Sequence, residues 1–321
     1  MNKIKLGLIG LGSVGKVHLG NCLKMAQAEL LAVSDVSKRG LNFAKKMGVK
    51  KTFSDYRELL NQKDLDAVII ALPTHLHAAC AKEAAEAGKD IFLEKPLARN
   101  VSEGREITSS IQKHGVRLMI GYPFRFSPPF QALKARILSG ELGEVQIAIA
   151  TNISAGPFSH RTENSIPRPV PEWWFKKELT GGGVLLDLGS HMINLTRWYL
   201  GKVSSVESYL GHRFNLEQED HAICMLKFEH GQIAIINVGW FSQDWQTKVE
   251  LFGTVGHAIA AKFEKGYTNE IQYFVHCIKD DLQPMTSGDD ALKDLEIITQ
   301  AYEHQLRSRV ATNTYLHRLE E

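Results

Sequence analysis

The stretch "GLIGLGSVG", residues 7–15, places glycines at positions 10, 12 and 15 in the pattern G-x-G-x-x-G. It joins a predicted strand, 4–10, to a predicted helix, 14–27. In such a turn the first glycine permits a tight bend, the second lets the backbone approach a pyrophosphate, and the third lets the helix pack closely on the strand. The first N–H groups of the helix then face the phosphates. The pattern predicts a dinucleotide-binding turn made of Gly10, Leu11, Gly12, Ser13, Val14 and Gly15.

Four more apolar runs of strand length alternate with amphipathic helices in the first third of the chain. The predicted strands cover 29–35, 66–72, 90–94 and 116–121, and the predicted helices cover 37–48, 75–88 and 102–115. These three helices end at glycine, where a left-handed cap is least unfavourable. Strands that are apolar throughout and separated by helices indicate a parallel sheet covered on both faces. The predicted fold class is therefore α/β, with a Rossmann domain at the N-terminus.

Asp35 ends the second predicted strand and follows the glycine pattern at the distance expected for a ribose-binding acid. A carboxylate there accepts hydrogen bonds from the adenosine ribose hydroxyls and repels a 2′-phosphate, so NAD is predicted in preference to NADP. Lys38 and Arg39 offer the alternative, because they can bind that phosphate if the loop turns towards it.

Two later loops follow predicted strands, at the sheet edge where a nicotinamide lies in such folds. They are "ALPTHLH" after the strand at 66–72 and "EKPLARN" at the end of the strand at 90–94. Glu94 and Lys95 are adjacent charges, which are usually a solvated surface pair. Their position at the carboxyl end of a strand in a parallel sheet favours an active-site role. The proline after the lysine predicts a rigid turn, in which a cis peptide bond is allowed. The candidate residues of the two loops are Leu72, Pro73, Thr74, His77, Glu94 and Lys95.

The stretch "GGGVLLDLGSHMINLTRWYLG", residues 181–201, predicts a mostly buried helix that carries a polar stripe. Asp187, His191 and Asn194 are spaced i, i+4 and i+7, so they share one face of a regular helix. The glycine cluster before the helix suits close backbone approach. A lone histidine would indicate an ordinary solvated face, whereas a polar stripe on a buried helix indicates a functional one. The apolar face carries Val184, Leu185, Leu188, Ile193 and Trp198.

After about residue 122 the pattern changes to successive strands, predicted over 144–154, 203–214, 220–242 and 247–263, with a hairpin turn at 230–231. Residues 232–240 are apolar on both faces of the strand. One face is predicted to pack on the helix with the polar stripe. The other is predicted to meet another subunit or a helix of the same chain. Closing helices are predicted over 267–281 and 288–308.

Together, "GLIGLGSVG", "PTHLH", "EKPLA" and "GGGVLLDLGSHMINLTRWYLG" resemble the glucose-fructose oxidoreductase, inositol dehydrogenase and rhizopine catabolism family (Gfo/Idh/MocA). The similarity covers essentially the whole chain. It implies a Rossmann domain over 1–122 and a C-terminal α/β domain over 123–321, with a large open, mainly antiparallel sheet for substrate binding and oligomerisation. It also implies hydride transfer between NAD and a secondary hydroxyl of a sugar, sugar nucleotide or cyclic polyol, in a homodimer or homotetramer.

The resemblance also implies roles for single residues. Lys95 matches the catalytic lysine, and Asp187 and His191 match the family's D-x-x-x-H on the helix facing the nicotinamide. Glu94 and the "PTHLH" loop are implied to border the nicotinamide riboside. Many inositol-type members carry aspartate where this chain has Asn194, and an amide cannot ionise, so a charged contact at that position is not implied.

Oxidation of a secondary carbinol removes a hydroxyl proton as well as a hydride, so the site needs a base within about 3 Å of the hydroxyl. His191 is the predicted proton acceptor, because a neutral imidazole suits that task. Lys95 is predicted to stabilise the developing alkoxide, and Asp187 to orient the imidazole or bind a neighbouring hydroxyl. Lys95 as the base is the alternative, since a partly desolvated ammonium loses its proton more readily.

Residues 154–183 form a long irregular segment, and such segments are usually functional or disordered. Its tryptophan pair indicates that the segment is ordered. The two rings either stack on a sugar ring or pack the loop. Its arginines are suited to bind a phosphate or a carboxylate. The segment is the predicted source of substrate selectivity, and an arginine of "GYPFRFSP" matches a family arginine close to the site. The predicted substrate contacts are Lys95, Arg125, Arg168, Trp173, Trp174, Asp187, His191 and Asn194.

The composition is that of an ordinary globular protein: 321 residues, 44% hydrophobic and 23% charged. A net charge of +2 provides no field for binding nucleic acid. The four cysteines are scattered, which predicts reduced, buried side chains and no metal site. The apolar start is short and rich in glycine, and no run approaches the length of a membrane span, so a cytoplasmic protein is expected.

Two other functions fit the resemblance. One is a non-catalytic regulator that senses a sugar or nucleotide on the same fold, although the presence of Lys95, Asp187 and His191 argues against it. The other is a glycosidase that uses tightly held NAD for transient oxidation and releases no NADH.

Overall fold

The computed structural model describes residues 3–159, 166–167 and 170–320. The strands are β1 (Ile4–Ile9), β2 (Ala28–Ser34), β3 (Lys51–Phe53), β4 (Ala67–Ile70), β5 (Asp90–Glu94), β6 (Leu118–Gly121), β7 (Val145–Ile153), β8 (Phe158–Ser159), β9 (Ile166–Pro167), β10 (Val203–Gly211), β11 (His221–Phe228), β12 (Ile233–Gly239), β13 (Gln246–Gly253) and β14 (His257–Ala260). The helices are α1 (Ser13–Leu23), α2 (Lys38–Lys46), α3 (Tyr56–Leu60), α4 (His77–Glu86), α5 (Val101–His114), α6 (Pro128–Leu138), α7 (Lys177–Thr180), α8 (Ser190–Leu200), α9 (Gly266–Lys279) and α10 (Gly288–Glu320).

The chain folds into two compact units that interleave along the sequence. Residues 1–127 and 265–292 form the first unit, and residues 128–264 and 293–321 form the second. The segment 265–292 therefore belongs with the first unit, although the sequence interpretation assigned everything after residue 122 to a second domain. The physical reason is that α9 buries Ile271, Phe274 and Val275 in the core of the first unit. The functional division at residue 122 stays a prediction.

The first unit contains the predicted Rossmann sheet. Its six parallel strands run in the order β3-β2-β1-β4-β5-β6. The four residues of β4 are all fully buried, as expected for a strand covered on both faces. The predicted α/β fold class is confirmed. The prediction missed β3 and α3, which are short and carry no clear apolar period.

The helix ends of this unit follow the local chemistry of the sequence. The predicted glycine stops are confirmed, because Gly48, Gly88 and Gly115 all have positive φ, at 96°, 69° and 66°. At the other end of α5, the side chain of Asn100 accepts a hydrogen bond of 2.9 Å from the backbone N–H of Glu103. Nowhere in the described ranges does a helix combine the length and apolarity that a membrane crossing needs.

The second unit contains a mixed, mostly antiparallel sheet in the order β10-β11-β12-β7-β13-β14, and this prediction is also confirmed. The pair β12 and β7 is parallel, while the neighbouring pairs are antiparallel. The predicted hairpin turn joins β11 to β12, with Gly231 at a φ of 92°. The helix α8 packs on β7 and β12. It follows that one face of the sheet supports the helix with the predicted polar stripe.

The two faces of β12 differ in burial. Ala234, Ile236 and Val238 are fully buried, whereas Ile233 and Ile235 on the opposite face are partly exposed. The alternation shows that only the first face lies in the core of this unit.

All four cysteines are buried and free, which confirms the prediction of buried side chains. Burial raises the pKa of Cys22 and of Cys224 to about 12. Both therefore remain thiols at neutral pH and behave as small apolar side chains.

Candidate active site

The glycine turn of the first unit shows a different constraint at each of its three glycines. Gly10 has a φ of +96°, and a Cβ there would lie 2.3 Å from the carbonyl oxygen of Ala71. A Cβ on Gly15 would lie 2.1 Å from the carbonyl oxygen of Gly10. A Cβ on Gly12 would meet nothing within 4 Å. Two of the glycines are therefore required by packing, while the space beside the third is open to a ligand.

The N-terminus of α1 is chemically suited to a pyrophosphate. Gly12 is its N-cap, no side chain caps it, and the first turn, which begins with Ser13 and Val14, carries no acidic residue. The backbone N–H groups and the positive end of the helix dipole thus face the open side of Gly12.

Asp35 is held beside this turn by the backbone. One carboxylate oxygen accepts a hydrogen bond of 2.6 Å from the N–H of Leu11, and the other accepts one of 2.7 Å from the N–H of Ser37. Lys38 and Arg39 begin α2 with exposed side chains. The acid is thus fixed at the end of β2, where a ribose would meet it, and both cations are in solvent. These residues fit a bound dinucleotide.

His77 connects the two candidate loops of the first unit. Its Nδ1 lies 2.9 Å from the carbonyl oxygen of Pro96, and its Nε2 lies 2.9 Å from that of Leu72. Burial lowers the pKa of His77, and the two carbonyls oppose that shift. Both ring nitrogens are engaged by backbone, so the ring holds the loops in place; a direct contact with cofactor stays a prediction. Pro73 and Leu72 are partly exposed and Thr74 is buried.

Lys95 lies directly after β5, half-buried, and its peptide bond to Pro96 is cis. The preceding side chain, Glu94, is buried and accepts a hydrogen bond of 2.6 Å from Nε2 of His18 on α1. The side chain of Glu94 is therefore directed into the first unit, and its hydrogen bond to His18 anchors the chain immediately before Lys95.

The helix predicted within residues 181–201 is not regular, which corrects the sequence interpretation. Residues Leu185–Gly189 form a π-helical turn, and the α-helix begins at Ser190. Asp187 lies in the wider turn and is half-buried, whereas His191 is 6% exposed within α8. The angular offset between these two side chains is consequently not that of a regular helix. Such π turns occur frequently at functional sites.

Glu219 fixes the start of this helix, and the sequence interpretation missed it. Its Oε1 accepts hydrogen bonds from the N–H of Gly183 at 3.1 Å, the N–H of Leu185 at 3.0 Å and the hydroxyl of Tyr302 at 2.9 Å. Burial raises the pKa of Glu219, and these hydrogen bonds oppose the shift. The sequence feature that could have indicated this role is the acidic stretch "EQED", residues 217–220, directly before β11. The sequence does not show which of its three acids is buried against the helix.

The glycines before the helix are required by this arrangement. A Cβ on Gly183 would lie 2.0 Å from the carbonyl oxygen of Glu219, and one on Gly182 would lie 2.2 Å from the hydroxyl oxygen of Tyr302. The predicted close approach of backbone at the glycine cluster is confirmed.

Asn194 is directed towards α10. Its side-chain N–H donates a hydrogen bond of 2.6 Å to Oδ2 of Asp294, and Arg197 forms an ion pair with Oδ1 of the same carboxylate. All three side chains belong to the second unit and are largely buried. An amide at position 194 supplies a donor that a carboxylate would lack. A contact of Asn194 with substrate stays a prediction.

The remaining predicted substrate residues have structural partners or lie outside the described part. Arg125 is 4% exposed and pairs with Asp290 at 2.9 Å. Trp173 and Trp174 are half-buried, and the Trp174 ring lies 6.0 Å from that of Trp240. Packing of Trp174 is thus observed, and its stacking on a sugar stays a prediction. Arg168 lies outside the described residues.

Comparison with known proteins identifies the family of this chain. Residues 4–122 match the oxidoreductase family with an NAD-binding Rossmann fold, and residues 130–259 match the GFO/IDH/MocA C-terminal domain. The chain belongs to the Gfo/Idh/MocA family. As a Gfo/Idh/MocA protein it combines an NAD-binding Rossmann fold with this C-terminal domain.

Two relatives and one solved structure show what this chain is similar to. The uncharacterized oxidoreductase YrbE of Bacillus subtilis is 33% identical over 80% of this chain and 74% of its own. The myo-inositol 2-dehydrogenase of Thermotoga maritima is 26% identical over 89% of this chain and 92% of its own. A solved structure of scyllo-inositol dehydrogenase from Lactobacillus casei, with bound NAD(H) and scyllo-inositol, has a TM-score of 0.81 at 21% identity, covering 96% of this chain and 98% of its own.

The glycine turn generates a matched pair of variants. Gly15→Ala is expected to destabilise the fold by about 2 kcal/mol or more, because the added Cβ has no space beside the Gly10 carbonyl. Gly12→Ala is expected to leave the melting temperature of the free protein near that of the parent and to weaken NAD binding by ~10-fold or more. Thermal melts without ligand and calorimetric titration with NAD measure both. Equal NAD affinities for Gly12→Ala and the parent would contradict the assigned position of the pyrophosphate.

The buried amide generates a second prediction. Asn194→Asp places a second carboxylate against Asp294 and removes a donor, so we expect about 2 kcal/mol less stability at pH 8. The loss is expected to shrink at pH 5, where proton uptake relieves the repulsion. Denaturant unfolding at both pH values measures it, with Asn42→Asp on an exposed position of α2 as the control for the charge change. An equal loss at both pH values would show that repulsion is not the cause.

Proposed function

We propose that this protein is an NAD-dependent dehydrogenase that oxidises a secondary hydroxyl of a sugar, sugar nucleotide or cyclic polyol, or runs the reverse reduction. The observation that carries the proposal is the dinucleotide turn with its fixed acid, in a chain that also has Lys95 at the end of β5. The inositol dehydrogenases among the relatives support the polyol part. The tryptophan pair at 173–174 supports a sugar-like ring, since aromatic faces stack on such rings.

The preference for NAD over NADP is part of this proposal. The carboxylate of Asp35, held by two backbone N–H groups, is placed to accept from ribose hydroxyls and to repel a 2′-phosphate. Lys38 and Arg39 are the groups that would have to move to reverse this preference.

The proposed reaction converts a carbinol to a carbonyl with loss of one hydride and one proton. When bound, NAD supplies the hydride acceptor. His191 takes the hydroxyl proton, and Lys95 as a cation stabilises the negative charge that develops on the oxygen. Asp187 orients the imidazole or binds a neighbouring hydroxyl. Lys95 as the base is the competing assignment, and the pH profiles of the His191 and Lys95 variants distinguish the two.

A substrate panel tests the function. We expect NADH to form, measured by its absorbance, with at least one compound among inositols, free sugars and UDP-sugars, and to form faster with NAD than with NADP. Release of a sugar from a glycoside without net NADH would support the glycosidase instead. Tight binding of a sugar with no turnover would support the regulator.

Lys95→Ala is expected to lower kcat by at least ~10²-fold, because the developing alkoxide loses its cation, with little change in the Kd for NAD. Stopped-flow turnover and calorimetric binding measure the two quantities. Lys82→Ala, at a partly exposed lysine of α4 that pairs with Glu106, is the matched control and should retain kcat. An unchanged kcat in Lys95→Ala would remove Lys95 from the mechanism.

We further propose that the protein forms a homodimer or homotetramer through the partly exposed face of the second unit's sheet. The strand register places Tyr209 opposite Ile223 and Met225 opposite Ile235. Of these, Tyr209 is 63% and Ile223 50% exposed. A contiguous exposed apolar patch of this kind marks an interaction surface. A second copy of the chain is the occupant that the family resemblance implies.

Ile147 of β7 lies opposite Ile233 on the same face of the sheet and is 41% exposed. The double variant Ile147→Glu and Ile223→Glu is expected to reduce the oligomer to monomer, because two charges per chain would be desolvated at the interface. Light scattering coupled to size-exclusion chromatography measures the mass. Leu138→Glu, 74% exposed at the end of α6, serves as the control for the added charge. A monomeric parent would contradict the proposal.

A further inference from the structure

A cluster of three titratable side chains is buried beneath the loop that carries Lys95. His18 on α1, Glu94 at the end of β5 and Glu270 on α9 have one ligating atom each within 4.8 Å of one another. His18 and Glu270 are fully buried and Glu94 is 7% exposed. Within the described part of the chain, neither carboxyl oxygen of Glu270 has a hydrogen-bond partner. Such a group requires a physical explanation, because an isolated buried carboxylate is strongly unfavourable.

Two carboxylates at this separation in an apolar site do not both ionise. Glu94 has a donor, since Nε2 of His18 lies 2.6 Å from its Oε1, and Glu270 has none. The ring of Phe92, 5.3 Å from that of His18, adds to the apolar surroundings. The negative charge therefore belongs on Glu94 and the proton on Glu270. In agreement, burial and the nearby Glu94 raise the pKa of Glu270 well above its usual value.

A metal ion is the other way to neutralise the cluster, and the geometry disfavours it. Nε2 of His18 lies 2.6 Å from Oε1 of Glu94, which is the distance of a hydrogen bond. Two tetrahedral ligands at the usual zinc–nitrogen and zinc–oxygen distances would lie about 3.3 Å apart, so this pair shares a proton and not a metal ion.

We propose that Glu270 is a neutral carboxylic acid packed beside the hydrogen-bonded pair of His18 and anionic Glu94, and that this cluster positions Lys95. Lys95 then lies between two anchors, because His77 contacts the Pro96 carbonyl on its other side. Glu94, His18 and Glu270 are positioning residues in this assignment. It rests on the proposed role of Lys95.

Amide substitutions assign the charge and the proton. Glu270→Ala is expected to lower kcat by ~10-fold or more through displacement of the lysine, with a smaller change in KM for NAD. Glu270→Gln, which has the shape of the neutral acid, is expected to restore kcat to within ~3-fold of the parent. Glu94→Gln is expected not to rescue Glu94→Ala, because that position needs the negative charge. This difference between rescue by glutamine at position 270 and no rescue at position 94 should appear in kcat and not in the Kd for NAD.

A stability measurement tests the proton on Glu270 without relying on Lys95. The folded pKa of Glu270 is raised, so its contribution to stability is full below the unfolded pKa and is lost as pH rises through the folded pKa. Glu270→Gln has no such titration, so its melting temperature relative to the parent should rise from pH 5 to pH 9. Among the described residues, the titratable groups clustered with Glu270 are Glu94 of β5 and His18 of α1. Arg125, on the 3₁₀ turn Pro123–Phe126 that contacts α9, is paired with Asp290.

Three results would overturn the proposal. One is rescue by the amide at position 94 but not at position 270. Another is one equivalent of a divalent metal in the purified protein by elemental analysis, lost in Glu270→Gln. The third is a melting temperature difference that does not change with pH. If instead Lys95→Ala alone has no effect on kcat while the stability difference rises as expected, the proposed catalytic role fails and the protonated Glu270 stands.

Discussion

The first unit depends on one close contact, between the start of α1 and the carbonyl of Gly10. Because a Cβ at residue 15 would lie 2.1 Å from that oxygen, the helix reaches its position only with glycine there. The same turn leaves Gly12 open and presents the N–H of Leu11 to Asp35. The proposed phosphate contact and the proposed ribose contact therefore depend on the same glycine turn.

Buried acids organise the rest of the candidate site. Glu94, bound to His18, anchors the chain immediately before Lys95. Glu219 accepts hydrogen bonds from N–H groups at the start of the helix that carries His191. Asp294 accepts a hydrogen bond from the side chain of Asn194. In each case a carboxylate is removed from water and compensated by specific donors, which makes the geometry of the neighbouring polar residue well defined. These buried carboxylates thus hold the proposed catalytic residues in place without taking part in the proposed reaction.

Prediction from sequence succeeded where local pattern and packing agree. The parallel strands, the glycine stops of the helices and the hairpin between β11 and β12 all follow from apolar period and turn chemistry. It failed at β3, which is too short to show a period, and at the π turn before α8, where a regular helix was expected. The wider turn coincides with the docking of Gly183 and Leu185 on Glu219, a contact between residues 34 to 36 positions apart.

The sequence by itself determined the fold class, because apolar strands alternate with helices over the first third of the chain, and the glycine turn, because nine consecutive residues encode it. The candidate catalytic residues followed from the resemblance of short motifs to the family. Only the tertiary structure decided the burial and partners of the supporting acids. Glu270 lies close to Glu94, and Asp294 is hydrogen-bonded to Asn194, although the members of each pair are far apart in the sequence. A local sequence pattern cannot predict such contacts. The segment 265–292 joins the first unit for the same reason, since the apolar face of α9 is matched by a core formed far earlier in the chain.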